Sequence, residues 1–553
     1  MDRTTVATSR SRRLVVFVAL AAACGGEQAV SSTSVPPTPV PPTVETATVS
    51  RYSVFEQTFS RNSAGYANPW EDVTATMTFT SPSSKQVTVG GFYYGPNTWK
   101  ARFAPSEVGN WTWQADVGDA AGTTRSNGKL IVTASDAPGF VRSNQANRFR
   151  WVFDDGTSYN ALGIGDCIRG VTGGTSMLNQ WGFDGDFRTG GQGPGKYTDF
   201  DTYLSAHSQA GINLFRWSVD NCAFGLYKTI ATSGNVYLEK EGLAGDTLVG
   251  KLRQYGFRTY MVIFGFNPPS TGQTLSPGDL AAIKRYVKYV VDRYGASVDF
   301  WELMNEAFAT DDWYRQVATY LREIDPYKHP ISTSWEKPGV DVIDINSPHW
   351  YEKESEFESD RVTWTRFGQF RSPATASGWK ASNKPVIVGE QGNIVQNWDD
   401  RSALRMRLRT WTTFFAEGTL IFWNGSFAKD YRSALAANIY LGPEERGYLK
   451  VLQDFTRGFD PNLAQVEIPV SDPARVRAYA LSSSTTYAAF VHAYTNHTTP
   501  TSGITLSIDA RGAGTATWIE PATGRVLATQ AVAVGRQTLA VPAFVTDVAL
   551  KVR

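Results

Sequence analysis

The stretch Phe300–Glu306 combines an apolar run with side chains that could carry out acid–base chemistry. Its largely apolar part, Phe300 to Met304, has the length of a buried strand and is followed at once by Asn305 and Glu306. A carboxylate beside an amide at the end of a buried strand is well placed to transfer a proton or to attack a bound substrate. The alternative is a strand that simply ends in solvent, where Glu is common.

A second apolar run ends in the same way. The residues Lys384-Pro-Val-Ile-Val-Gly lead directly to Glu390. Glycoside cleavage uses two carboxyl groups, about 5 Å apart in enzymes that retain the anomeric configuration and about 8 Å apart in enzymes that invert it. Glu306 and Glu390 are therefore candidates for this chemistry. The alternative, two unrelated surface carboxylates, stays open until the elements that hold them are considered.

Residues 139–458 alternate short apolar runs with amphipathic stretches, a pattern typical of repeated βα units. We predict a (β/α)8 TIM barrel, in which catalytic side chains lie at the C-terminal ends of the strands. The alternative is a doubly wound open sheet, but no Gly-rich phosphate turn follows the first strand in this sequence. Glu306 then follows the fourth strand and Glu390 the seventh. The eight predicted strands are Tyr159–Gly165, Ile212–Ser218, Arg258–Phe264, Val298–Met304, Pro330–Ser334, Val342–Pro348, Pro385–Gly389 and Thr419–Trp423.

Two of these strand ends resemble those of a known group of enzymes. Trp301–Glu306 and Val386–Glu390 are similar to the acid/base and nucleophile strands of clan A glycoside hydrolases, most of all the cellulase-like family 5. The resemblance implies a retaining enzyme with Glu306 as general acid/base and Glu390 as nucleophile. We expect the nearby negative charge of Glu390 to raise the pKa of Glu306. The sequence departs from the family at Ala307, where Pro is common, and at the end of the third strand, which lacks the usual His.

The resemblance extends to residues that would support the two carboxylates. Arg216, on the second strand, could hydrogen-bond Glu390 and keep it ionised. Its alternative role is a salt bridge inside the barrel, for example to Glu302. Asn305 offers both a donor and an acceptor and suits a contact to a sugar 2-hydroxyl.

Three more residues match family positions in the last strands. His349-Trp350-Tyr351 matches a His-x-Tyr pattern after the sixth strand, with the Tyr351 hydroxyl directed at the nucleophile. Trp423 ends the eighth strand, where the clan places a Trp as the floor of the sugar site. The alternatives are a structural role for His349 and a core position for Trp423.

Both flanks of the barrel show period-two alternation separated by turn residues, which predicts antiparallel β-sandwich domains at residues 50–136 and 461–553. The N-terminal one, with Asn68-Pro69-Trp70 and Trp99–Trp111, resembles a module that precedes many barrel glycoside hydrolases. In the C-terminal one, Trp518–Gly524 resembles a module found after similar barrels.

The first residues have the character of an export signal. Arg10, Arg12 and Arg13 precede the short apolar run 14–23 and then Cys24. We predict a bacterial-type signal at residues 1–24, either a lipoprotein signal with lipidation of Cys24 or an ordinary signal cleaved just before it. Residues 25–49 are rich in Pro, Ser and Thr and are predicted to be a disordered linker. The protein is then extracytoplasmic, as a cell-surface lipoprotein or a secreted protein.

The chain has three cysteines, an odd number for an exported protein. Lipidation of Cys24 would leave Cys167 and Cys222, which follow the first two strands and could form a disulfide. Their spacing matches no metal site.

Charge and composition narrow the class of partner. Lys plus Arg number 53 and Asp plus Glu 52, so no nucleic-acid partner is indicated. Aromatic residues make up 13% of the chain, which fits a protein that handles carbohydrate. We therefore predict a monomeric retaining glycoside hydrolase that acts on a poly- or oligosaccharide and needs no metal or organic cofactor. The alternatives are a non-catalytic glycan-binding lipoprotein and a transglycosylase with the same site.

Overall fold

Eight parallel strands form the centre of the fold in a computed structural model of the chain. The structure describes residues 45–165, 200–220, 224–272, 274–393, 398–423, 425–426 and 439–553. The order of the central strands in their sheet is β5-β4-β3-β2-β1-β8-β7-β6, so β1 lies between β2 and β8. This is the strand order of a TIM-like barrel. The strands are β1 Gly163–Gly165, β2 Leu214–Ser218, β3 Arg258–Val262, β4 Phe300–Glu302, β5 Ile331–Ser332, β6 His349–Tyr351, β7 Ile387–Gly392 and β8 Thr419–Trp423.

The gap between β5 and β6 is bridged by single hydrogen bonds rather than by a ladder. The backbone N–H of Asp344 donates to Ile331 O at 2.8 Å, and that of Trp335 donates to Ser347 O at 3.1 Å. These contacts bring the segment before β6 against β5.

Helices alternate with the barrel strands, as the βα pattern predicts. Ser276 and Thr310 cap the helices that begin at Pro277 and Asp311, since their side chains accept hydrogen bonds from the backbone N–H of Asp279 and of Trp313. Short 3₁₀ helices lie at Ser63–Gly65, Gly295–Ser297 and Gly378–Ser382. The described α-helices are α1 Phe200–Gln209, α2 Glu239–Gln254, α3 Pro277–Tyr294, α4 Asp311–Ile324, α5 Ser359–Phe367, α6 Ser402–Phe415 and α7 Pro443–Thr456.

The sixth predicted strand was wrong in position. The sequence pattern placed it at Val342–Pro348, but β6 is His349–Tyr351. In the predicted segment Asn346 forms only an isolated bridge to Val386. Pro348 has no N–H to donate to a ladder, and the pairing with β7 begins at the next residue, with His349 opposite Glu390. The His349–Tyr351 motif therefore forms the sixth strand instead of following it.

Alternation along the strands separates an apolar layer from a charged one inside the barrel. Leu214, Tyr260, Phe300, Ile387 and Ile421 belong to one buried cluster toward the start of the strands. Two residues further along β2 and β4, where side chains again point inward, stand Arg216 and Glu302. The charged layer thus lies between the apolar layer and the C-terminal mouth.

The N-terminal region is a seven-stranded sheet around an apolar core that includes Met77, Phe79, Trp111 and Trp113. The outermost strand at one edge, Glu45–Ser50, pairs in parallel with its neighbour, and the other pairings are antiparallel. Residues 45–49, predicted as linker, belong to that outermost strand, since the Pro-rich tract ends at Pro42 and alternation resumes. In sheet order the strands are Glu45–Ser50, Gly122–Thr133, Gly109–Asp119, Thr74–Thr80, Gln86–Gly95, Thr98–Phe103 and Phe55–Ser60.

The C-terminal region has a six-stranded sheet and a two-stranded one around a core that includes Trp518. Helix α6 packs on it through Trp411, whose ring is stacked with Phe490 at 5.6 Å. In sheet order the six strands are Ala464–Val466, Arg477–Ser482, Tyr487–His492, Asp547–Val552, Gly514–Ile519 and Val526–Val532, and the other two are Thr505–Ala510 and Gly535–Ala540.

Short strands complete the described structure. They are a three-stranded sheet (Val141–Ser143, Trp151–Phe153 and Ser158–Tyr159) and two pairs (Tyr227–Thr229 with Val236–Tyr237, and Gly425–Ser426 with Ile439–Tyr440). Within the described ranges, none of the helices has the length and apolar character needed to cross a membrane.

Candidate active site

Both candidate carboxylates lie at the C-terminal mouth of the barrel. Glu390 is buried within β7, and Glu306 follows β4 with an exposed side chain. One oxygen of each carboxylate and one ring nitrogen of His349 all lie within 4.8 Å of one another. The structure therefore brings together the two residues that the strand ends predicted.

Arg216 connects the nucleophile candidate to the charged layer below it. Its Nη1 donates to Glu390 Oε1 at 2.8 Å, while Nε and Nη2 donate to the two oxygens of Glu302 at 2.6 and 2.8 Å. Arg216 thus makes both of the contacts considered for it, one to Glu390 and one to Glu302. Burial opposes its charge, but the adjacent carboxylates Glu302 and Glu390 hold its pKa above the ordinary value. A buried cation that is fully paired in this way fixes the orientation of both carboxylates.

Asn305 is oriented by the same guanidinium. Its Oδ1 accepts from Arg216 Nη2 at 2.6 Å, and its backbone N–H donates to Gly265 O at 2.8 Å. With Oδ1 occupied, the side-chain NH₂ is the group that Asn305 can offer to a ligand. The sugar contact predicted for Asn305 would therefore be a donated hydrogen bond.

His349 lies between the two carboxylates. Its Nδ1 is 2.8 Å from Glu306 Oε1 and 3.5 Å from Glu390 Oε2, and its Nε2 is 3.2 Å from Ser334 Oγ. The ring is buried, and its distances to Glu306 and Glu390 place His349 within the candidate site.

The expected pKa shift of Glu306 was wrong in sign. The hydrogen bond from His349 lowers the pKa of Glu306 below its ordinary value and outweighs burial, which acts in the opposite direction. The positive charges of His349 and Arg216 act in the same direction as that hydrogen bond.

Tyr351 donates its hydroxyl to Glu390 Oε2 in a short hydrogen bond. Burial raises the pKa of Tyr351, and the negative charge of Glu390 raises it further, so the phenol stays protonated and remains a donor. The two oxygens of Glu390 thus each accept one strong hydrogen bond, from Arg216 and from Tyr351.

Trp423, at the end of β8, packs over the Arg216 guanidinium, whose Cζ lies 5.0 Å from the indole centroid. Gly165 at the end of β1 makes room for it, because a Cβ there would lie 2.4 Å from Trp423 Cε3. The indole is largely buried and borders the charged layer.

Sequence reasoning did not identify Ser334 or Trp335, which follow β5. Ser334 Oγ donates to Glu302 Oε1 at 2.9 Å and also contacts His349. Ser334 closes the fifth predicted strand, so the strand-end criterion that found Glu306 would have found it too. Trp335 adopts φ 69° and packs 5.3 Å from the His349 ring, and no sequence pattern indicates either property.

The donor set Glu306, His349 and Glu390 is compact enough to be considered for a metal ion. However, Arg216 places a positive charge 2.8 Å from Glu390 Oε1, and Tyr351 occupies Oε2. A cation at this position would be repelled by the guanidinium and would have to displace both donors. The expectation of a metal-free site stays a prediction. Cys24, Cys167 and Cys222, named for lipidation and a disulfide, lie outside the described residues.

Part of the chain matches a known domain family. The sequence profile of a domain of unknown function (DUF5060) matches residues 48–118, within the N-terminal sheet. No curated protein sequence matches the chain.

Several solved structures are similar to the chain. A candidate glycoside hydrolase from Bacteroides vulgatus ATCC 8482 is 17% identical with a TM-score of 0.61, over 92% of this chain and 100% of its own. A glycoside hydrolase (16% identity, 75% and 97% coverage) and a family 5 glycoside hydrolase from the same Bacteroides strain (15%, 75% and 94%) have TM-scores of 0.48 and 0.47. At 17% identity the likeness to the first of these structures is one of fold alone.

Proposed function

We propose that the protein is a retaining, clan A, family-5-like glycoside hydrolase that cleaves O-glycosidic bonds in a poly- or oligosaccharide. One observation carries the proposal: the carboxylates of Glu306 and Glu390 share the barrel mouth, with oxygens within 4.8 Å of each other. Retaining glycosidases hold their two carboxyl groups about 5 Å apart, whereas inverting enzymes need room for a water between them.

In the first step Glu390 attacks the anomeric carbon. The bond from that carbon to the leaving oxygen breaks as the bond to Glu390 forms, and Glu306 gives its proton to the leaving oxygen. Arg216 and Tyr351 hold the Glu390 carboxylate in position before the attack. The donor left on Asn305 suits the hydroxyl next to the reacting carbon, whose hydrogen bond strengthens in the transition state.

In the second step water replaces Glu390 on the sugar. Glycosylation has removed the negative charge of Glu390, and Glu306, now ionised, takes a proton from the attacking water. The water oxygen bonds to the anomeric carbon from the face that the leaving group had occupied, and the bond to Glu390 breaks. Both carboxyl groups return to their starting protonation states, and the product keeps the original configuration.

The experiment is to incubate the protein with aryl β-glycosides and plant polysaccharides and to follow the first product by ¹H NMR. We expect the newly released sugar to appear with the anomeric configuration of the substrate and to mutarotate afterwards. An inverted first product would overturn the retaining mechanism. Binding without turnover would favour the glycan-binding alternative, and new glycosidic bonds at low acceptor concentration would favour a transglycosylase.

We further propose that the flanking regions are sandwiches supporting the barrel and that the protein is exported. The basic, apolar and Cys24-containing start supports export, and its resemblance to a bacterial lipoprotein signal supports anchoring through Cys24. Expression in a bacterium followed by fractionation tests this. We expect Cys24→Ser to move the protein from the membrane fraction to the soluble one, whereas an unchanged distribution would contradict lipidation.

A further inference from the structure

The C-terminal sheet contacts the barrel through two histidines that face each other. Nε2 of His492 lies 2.9 Å from Nε2 of His497. His492 ends the strand Tyr487–His492, and its ring is buried. His497 follows in the same part of the chain and stacks on Phe357, which precedes helix α5 of the barrel, at a centroid distance of 4.4 Å. Neither ring has a part in the proposed reaction.

Asp360, in helix α5, determines where the hydrogens of this histidine pair lie. Its buried carboxylate accepts from Arg477 Nη1 at 2.8 Å and from the Tyr479 hydroxyl at 2.9 Å. Burial raises the pKa of Asp360, but His492 and Arg477 outweigh this effect and hold the pKa below its ordinary value, so the carboxylate is ionised. His492 Nδ1 lies 3.0 Å from Asp360 Oδ1. This nitrogen must carry a hydrogen, because a bare lone pair would face a carboxylate oxygen.

The neutral pair then has a single arrangement of hydrogens. With a hydrogen on Nδ1, the neutral His492 ring accepts at Nε2, and His497 Nε2 donates. His497 Nδ1 is left with a bare lone pair, which is buried and has no hydrogen-bond partner within the described part of the chain. A further proton must either break the bond between the two rings or create an N–H that no acceptor satisfies.

The surroundings of the pair disfavour a further positive charge. Burial lowers the pKa of His497 to about 4, and His492 acts in the same direction. Glu356 opposes this effect, whereas Arg401 and Arg407 add to it. Around the two rings the charged side chains are Glu356, Asp360, Arg401, Arg407, Arg477 and Asp547, the last two standing opposite His492 in the flanking strands.

We propose that Asp360, His492 and His497 form a pH-sensitive joint between the barrel and the C-terminal region, closed near neutral pH and opened by acid. Once the contact opens, the freed His497 ring takes up a proton at the ordinary pKa of histidine, about 6.5. Below that pH and down to about 4, the open form therefore binds more protons than the closed form. The closed contact is fully stable above this range and loses stability as the pH falls through it. This property goes beyond the proposed function and does not depend on it.

The joint holds the segment that leads away from the candidate active site. Residues 352–358 connect β6 to α5, and Arg477 donates there to Phe357 O and to Glu358 Oε1, each at 2.9 Å. Helix α6 also packs on the C-terminal sheet, through an uncharged stacking contact of Trp411 that acid does not affect. We therefore expect acid to loosen residues 352–358 and α5 while the C-terminal region stays attached.

Hydrogen exchange of the backbone amides, followed by mass spectrometry on the full chain without substrate, tests the joint. Protection is compared at about pH 7.5 and about pH 5, after correction for the intrinsic pH dependence of exchange. A pKa change from about 4 to about 6.5 weakens the contact roughly 30-fold at pH 5, and solvent screening of the partly exposed ring reduces this factor. We expect protection in residues 352–367 to fall about tenfold, with helix α3 unchanged.

His497→Gln keeps a side-chain N–H that can donate to His492 but has no group that titrates in this range. The loss of protection in acid should therefore be absent in this variant. Thr498→Ala changes the next residue and should behave like the wild type. An equal loss in His497→Gln, an equal loss in α3 or unchanged protection in the wild type would overturn the proposal.

An NMR titration of the wild type keeps the proposal testable if His497→Gln fails to fold. The His497 ring is identified by its contact with the Phe357 ring. Titration of this imidazole near pH 4 would support the joint, and an ordinary value near 6.5 would overturn it. Both experiments omit substrate, so their outcome stands whether or not the protein hydrolyses glycosides.

Discussion

Nδ1 of His349 lies 2.8 Å from Oε1 of Glu306. The hydrogen bond made by the other ring nitrogen, Nε2, indicates where the protons of this ring lie. Ser334 Oγ has one proton, which it donates to the buried carboxylate of Glu302 at 2.9 Å. It must then accept at its 3.2 Å contact with His349, so Nε2 carries a hydrogen. The remaining proton is held between Nδ1 and Glu306. His349 and Glu306 therefore share one proton, which in the proposed mechanism is the proton that the leaving group needs.

The first prediction concerns the pH profile of His349→Phe. This variant keeps a ring against Trp335 but removes the hydrogen bond that lowers the pKa of Glu306 most, so that pKa rises. The first step needs protonated Glu306, and its rate is lost as the pH rises through this pKa. We therefore expect the alkaline limb of kcat/KM to move to higher pH, measured with an aryl glycoside.

Tyr351→Phe is a matched control for that shift, because it alters the environment of Glu390 and leaves the contact between His349 and Glu306 intact. It should lower the rate without moving the alkaline limb of kcat/KM to higher pH. An alkaline limb that stays in place or moves to lower pH in His349→Phe would show that His349 does not control the acid.

The second prediction concerns Glu306→Gln. Loss of a general acid typically lowers a rate by about 10²–10⁴-fold when the leaving group needs protonation. We expect a loss of that order on natural oligosaccharides and a much smaller one on 2,4-dinitrophenyl glycosides, whose leaving group departs unprotonated. Steady-state kinetics on both substrates checks this. Similar losses on the two would assign Glu306 another role.

The third prediction concerns Glu390→Ala. Removing the nucleophile should abolish turnover of aryl glycosides, and the space it leaves lies beside Arg216 and Tyr351, which can orient a small anion. Added azide should then restore activity and give a glycosyl azide of inverted configuration, identified by NMR. Glu302→Gln is a useful comparison, since this carboxylate also pairs with Arg216 but lies deeper, and azide should not rescue it.

The sequence was sufficient to predict the barrel and the residues at its strand ends, because both depend on local patterns. Inward-facing positions alternate along β2 and β4, so Arg216 and Glu302 could be placed in one layer from periodicity alone. The sixth strand was misplaced because its apolar run precedes Pro348, while the ladder depends on which backbone groups pair. Helix α2 begins at Glu239, and acidic residues such as this one favour the first turn of a helix.

The electrostatics of the site could not be predicted in the same way. The sign of the Glu306 pKa shift depends on a 2.8 Å contact to His349 that outweighs the effect of burial, and residue spacing along the chain does not give such distances. The positive φ of Glu306 and Trp335 is equally invisible, because neither residue type favours that conformation. Partners across the mouth, not residues along a strand, decide these properties.

The last prediction concerns Gly165→Ala, which tests whether the position of Trp423 affects substrate binding. The added Cβ would lie 2.4 Å from Cε3 and 2.6 Å from Cζ3 of the indole, so the ring has to move away from residue 165. Overpacking of this kind costs about 1–3 kcal/mol of stability. We expect a lower melting temperature and a higher KM, because an indole that forms the floor of the sugar site would be displaced.

The control for Gly165→Ala is Gly250→Ala, which lies exposed in helix α2 with no atom within 4 Å of the new Cβ. Because alanine favours the helix by about 1 kcal/mol over glycine, this variant should be slightly more stable with unchanged kinetics. Thermal unfolding and oligosaccharide kinetics on both variants separate packing from substrate contact. A Gly165→Ala protein that loses stability but keeps its KM would make Trp423 a packing residue, because the ring could then move without any effect on the sugar.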